Sequence, residues 1–146
     1  MHIRRILLVE DNRDHAELTI RALRKSNVVN EVKTVYDGEE ALEYLFGTGR
    51  YAGRDVLDPP AVVLLDLKLP KVDGMDVLRQ LRADERTKLV PVVILTSSKE
   101  ERDVLEGYKL GANAFVQKPV DFVQFSDAVK SLGLFWAVLN EPPPVG

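Results

Sequence analysis

Apolar residues in this chain follow two rhythms. Four segments, "IRRILLVE", "AVVLLDL", "VPVVILTS" and "NAFVQKP", hold runs of β-branched residues and leucines, and "NEVKTVY" is a weaker fifth. A strand with one wet face alternates apolar and polar positions, so near-continuous short runs predict strands covered on both faces. The intervening segments instead space their apolar residues three and four apart, as helices do. Asn12 stands as an N-cap before Ala16, Thr19, Ile20 and Leu23, one face of a helix ending near Ser26. Asp37 heads a second helix with Ala41, Leu42 and Leu45, and Asp73 a third with Val77, Leu78 and Leu81 facing inward. A fourth carries Val104, Leu105 and Tyr108 and closes at Gly111; Phe122, Phe125, Val129 and Leu132 mark a fifth.

Strand and helix therefore alternate five times. This predicts an α/β fold, a doubly wound (βα)5 three-layer sandwich around a parallel five-stranded sheet of order 2-1-3-4-5, the flavodoxin-like arrangement. A chain of 146 residues suits one well-cored domain, expected over 1–139 with an extended last helix, followed by a proline-rich tail at 140–146. Doubly wound sheets place their sites at the carboxyl ends of strands, where strand order reverses. Glu10 and Asp11 end the first strand, Asp66 the third, Thr96 the fourth and Lys118 the fifth, so all five are expected on one rim.

Composition narrows the chemistry. A formal net charge of −3 gives no reason to expect nucleic acid or an anionic membrane as partner. The apolar run Ile6 to Val9 is too short for a signal peptide or a span, which predicts a cytoplasmic protein. The chain has no cysteine, which excludes disulfides and thiolate chemistry. Its two histidines, His2 and His15, lack ligand spacing and read as surface residues. The carboxylates remain. An unpaired charge at the end of a buried strand is costly, so Asp66 needs partners at a mouth. Glu10, Asp11 and Asp66 brought together repel, and would take up protons or bind a cation. Oxygen ligands alone favour a hard divalent ion, and a half-open site suits Mg²⁺. Asp66 could then attack phosphorus as a nucleophile, with the Lys118 ammonium and the Thr96 hydroxyl meeting the oxygens of an incoming phosphoryl group.

"ILLVEDN", "LLDLKLPKVDG", "ILTSS" and "KP", in this order and spacing, resemble the receiver domain of two-component response regulators over roughly Ile3 to Leu132. The resemblance implies that Asp66 is the phosphoacceptor, receiving its phosphoryl group from a phosphohistidine on a sensor histidine kinase. It implies Mg²⁺ held by Glu10, Asp11, Asp66 and the backbone carbonyl of Lys68, with Asp11 a direct ligand. Thr96 and Lys118 match the conserved hydroxyl and lysine, Thr96 and Phe115 the switch pair, and Lys118–Pro119 a peptide usually cis. Phosphorylation would then alter the surface of the fourth helix, fifth strand and fifth helix. Lys68 and Ser98 stand where this family tunes phosphoryl lifetime; the Lys68 side chain either shields the acyl phosphate or is simply solvated.

Two segments depart from the minimal pattern. "FGTGRYAGRDVLDPP" is long for an αβ connection, and reads as a surface excursion or as a contact with the kinase or a second subunit. Phe122, Phe125, Val129, Leu132, Trp136 and Leu139 form a seam longer than one core requires, which predicts a homodimer interface unless the seam folds back on its own domain. The long loop and the "FWAVLNEPPP" ending also resemble single-domain regulators of phytochrome-type kinases. The expected function is thus a single-domain phosphoreceiver rather than a turnover enzyme, signalling through protein contacts. Two alternatives stand beside it: a phosphorylation-independent interaction module, and an aspartyl-phosphate phosphohydrolase of the haloacid-dehalogenase type. The latter requires a second aspartate where this chain has Lys68.

Overall fold

The computed structural model describes residues 4–25, 28–97 and 101–131. Its strands are β1 (Ile6–Val9), β2 (Val32–Val35), β3 (Val62–Asp66), β4 (Val92–Thr96) and β5 (Ala114–Gln117). The helices α1 (Arg13–Lys25), α2 (Gly38–Phe46), α3 (Gly74–Ala83), α4 (Glu101–Lys109) and α5 (Phe122–Ser131) follow them in strict alternation. All neighbouring strands pair in parallel, in the order β2-β1-β3-β4-β5.

The two faces of the sheet explain why the strand sequences do not alternate. Ile6, Leu8, Val62, Leu64, Val93 and Leu95 turn to one layer, where Ala16 and Leu23 of α1 and Phe125 of α5 cover them. Leu7, Val9, Val63, Leu65, Val92 and Ile94 turn to the other, against Ala41 and Leu45 of α2 and Val77, Leu78 and Leu81 of α3. Each such leucine contributes about 1.5–3 kcal/mol by leaving water, so both faces must be apolar for the sheet to stay between its layers.

Helix starts follow the side chains that can cap them. Asn12 Oδ1 accepts from the His15 N–H at 3.0 Å, and Asp37 Oδ1 from the Glu40 N–H at 2.7 Å. Asp73 stands at the N-cap of α3 but makes no capping bond with its side chain. What fixes the start of α3 is Gly74, where a β-carbon would collide with the Asp66 carbonyl and the Leu67 backbone. α4 closes at Gly111, whose φ of 99° favours glycine.

On α4, Leu105 and Tyr108 are 53% and 50% exposed, and among its described side chains the buried position is Gly107, against the Phe115 ring and Ile94. One expectation is corrected. Phe125 is not an interface residue. It is fully buried beneath α5, because the sheet face formed by Val93, Ala114 and Val116 needs an apolar cover. The Phe122 side chain lies outside the described residues, as do His2, Ser98, Leu132, Trp136, Leu139 and the tail 140–146.

The long segment after α2 is pinned to that helix. Arg54 donates to the carbonyls of Tyr44, Leu45 and Asp58, and Arg50 pairs with Glu43. Tyr51 Oη donates to Glu40 Oε2 at 2.6 Å. Among the described residues, no helix is long and apolar enough to cross a membrane.

Candidate functional site

Parallel pairing of β1 with β3 brings their carboxyl ends side by side. Glu10 and Asp11 leave β1 there, and Asp66 is the last residue of β3. One carboxylate oxygen from each lies within 4.8 Å of the others. Glu10 is fully buried, Asp66 is 8% exposed and Asp11 is open to solvent. Lys118 enters from the end of β5, where its N–H donates to the Thr96 carbonyl at 2.9 Å and its peptide bond to Pro119 is cis. Its Nζ donates to Asp66 Oδ2 at 2.6 Å and forms an ion pair with Glu10 Oε1. Asp66 Oδ1 accepts from the Lys68 N–H at 3.2 Å.

The electrostatics follow from burial. Loss of water raises the Glu10 carboxyl; with Lys118 opposing the rise and the nearby Asp66 adding to it, the group stands at about 7. Burial alone would lower the Lys118 ammonium, but its bonds to Asp66 and Glu10 outweigh this and hold it above its ordinary value. Glu10 Oε1 is buried without a hydrogen-bond partner of proper geometry, its neighbour being the Lys118 ammonium. A buried carboxylate oxygen so poorly satisfied, beside two further carboxylates, fits a hard divalent cation.

Thr96 ends β4, buried, and lines a cleft of about 270 Å³ together with Leu67, Lys68, Asp73 and Glu106. Phe115 is half-buried, its ring 4.9 Å from that of Tyr108 on α4. One site residue escaped the sequence reading. His15 Nδ1 lies 3.4 Å from Lys118 Nζ and 4.0 Å from Glu10 Oε1. No sequence pattern exposes it, because His15 has no ligand-spaced partner and meets Lys118 only across 103 positions of chain.

Residues 6–130 match the Response regulator receiver domain family. This chain belongs to that family. The receiver is 55% identical to the bacteriophytochrome response regulator AtBRR, whose structure matches with a TM-score of 0.86 over 97% of this chain and 100% of that one. The phosphorylated cyanobacterial phytochrome response regulator RcpA is 38% identical, with a TM-score of 0.77 over 99% and 100% of the two chains. Response regulator Rcp1 of Synechocystis is 34% identical over 90% of this receiver and 87% of its own length. A Mn²⁺-bound form of Rcp1 matches with a TM-score of 0.76 and 32% identity, over 97% of this receiver and 99% of that chain. The receiver thus falls with the phytochrome-associated group of response regulators.

Proposed function

We propose that this receiver accepts a phosphoryl group on Asp66 from the phosphohistidine of a phytochrome-type sensor kinase, and signals by changed protein contacts. An Asp66 carboxylate oxygen attacks phosphorus. The P–N bond breaks as the P–O bond forms, and the departing imidazole nitrogen takes the electron pair and a proton from water. The observation that carries this reading is the Lys118 ammonium bound at 2.6 Å to Asp66, beside Glu10 and Asp11. Once the phosphoryl group arrives, the same ammonium is in reach of its oxygens. Glu10, Asp11 and Asp66, with the Lys68 carbonyl, would hold Mg²⁺, which neutralises phosphoryl charge when bound. The Thr96 hydroxyl then turns toward the new oxygens, and the Phe115 ring follows into the space released.

The 55% identity to AtBRR supports a phytochrome-type partner. Exposed Leu105 and Tyr108 on α4 and Val123 on α5 flank the edge strand β5 and support a homodimer across this surface. Incubation with acetyl phosphate and Mg²⁺, followed by intact-mass measurement, tests the acceptor. One phosphoryl group is expected per wild-type chain and none on Asp66→Asn; equal incorporation by the variant overturns the assignment. Sedimentation that finds only monomer at micromolar concentration, with and without phosphorylation, removes the dimer.

A further inference from the structure

An ammonium has three N–H groups and can accept nothing. Lys118 faces three partners: Asp66 Oδ2 at 2.6 Å, Glu10 Oε1, and His15 Nδ1 at 3.4 Å. Because Lys118 can only donate, a hydrogen bond in this contact uses the lone pair of His15 Nδ1.

The Lys118 side chain is 9% exposed, whereas that of His15 is 46% exposed, so the imidazole lies on the solvent side of the ammonium. Beside the pair lies a hollow of about 160 Å³ lined by Leu18, Thr19, Ser97, Pro119 and Val120. The His15 N–H is held by Asn12 Oδ1, which fixes the first turn of α1 and with it the base of the side chain.

We propose that His15 is a positioning residue for Lys118, holding one ammonium N–H while the N–H on Asp66 passes to an incoming phosphoryl oxygen. A third carboxylate here would compete with the phosphoryl group for the lysine; a ring nitrogen offers a lone pair without adding negative charge. The role rests on the phosphoacceptor reading above.

The test compares wild type with His15→Leu, which keeps bulk without an acceptor, and His15→Asn, which places an amide oxygen where Nδ1 stands. Phosphate incorporation from acetyl phosphate at saturating Mg²⁺ should fall about three- to tenfold in H15L, the value of one net hydrogen bond. H15N should recover more than half of the loss, and the Mg²⁺ dissociation constant should stay within about twofold, since His15 acts on the lysine. An H15L rate matching wild type, no rescue by H15N, or an equal shift in Mg²⁺ affinity overturns the proposal. Nitrogen-15 NMR of the Lys118 ammonium gives a readout independent of phosphorylation: its signal should move in H15L and return in H15N, and an unmoved signal also overturns it. A wild type that takes up no phosphate, with the NMR result as expected, refutes the acceptor reading and leaves the contact standing.

Discussion

The ring of Phe115 occupies the space that a β-carbon on Gly107 would fill. Glycine inside a helix costs about 1 kcal/mol relative to alanine, so its presence in the middle of α4 is offset by this packing. The ring can rest against the helix backbone, with Tyr108 beside it and Ile94 beneath.

Gly107→Ala should therefore destabilise the receiver despite its better helix propensity. Overpacking costs about 1–3 kcal/mol, which exceeds the propensity gain unless the ring moves. Urea unfolding of G107A, F115A and the double variant should give a coupling of about 1 kcal/mol or more. Additive effects would show that the ring does not depend on the missing β-carbon.

Mg²⁺ should stabilise the folded chain. A ligand that binds only the native state adds about 2.7 kcal/mol at a hundredfold excess over its dissociation constant. The urea midpoint should rise with Mg²⁺ in the wild type, and Asp11→Asn should lose most of the increment. A rise of equal size in D11N would place the ion elsewhere.

Arg82 latches two loops at the far end of the sheet. Its guanidinium donates to the carbonyls of Gly111, Lys88 and Val90 and to Asn113 Oδ1, while the same Asn113 oxygen accepts from the Val92 N–H. Bonds of this charge-assisted kind are worth about 1.5–3 kcal/mol each and do not add. Arg82→Met should cost about 2–4 kcal/mol in urea unfolding. Arg82→Lys should restore little, because a point charge cannot span the fork.

Tyr51 gives a pH dependence of defined sign. Burial, and its bond to Glu40, push the phenol up to about 12 from an ordinary 10.0. The folded state thus keeps this proton more tightly than the unfolded chain. Its contribution is complete below about pH 10 and is lost as pH rises toward 12. The stability difference between wild type and Tyr51→Phe, followed by urea midpoint, should shrink across that interval; a constant difference would show that folding does not raise the Tyr51 phenol.

The sequence by itself determined the layers and the rim. Short, β-branched apolar runs read as strands covered on both faces, and their alternation with helices makes them parallel, so the carboxyl ends carrying Glu10, Asp11, Asp66, Thr96 and Lys118 share one edge of the sheet. Tertiary structure decided what periodicity does not encode. Leu105 and Tyr108 satisfy a helical stripe yet face solvent, since Gly107 and Phe115 set which side of α4 can approach the sheet. Phe125 fits an interface seam as well as a core, and only the sheet beneath α5 chooses between them. His15 carries no pattern of its own. It joins the site because the first turn of α1 meets Lys118 at the end of β5, 103 positions away in sequence. Local pattern fixes which residues can be buried; contacts between distant segments fix which of them meet, because each depends on the shape of a surface that exists only after folding.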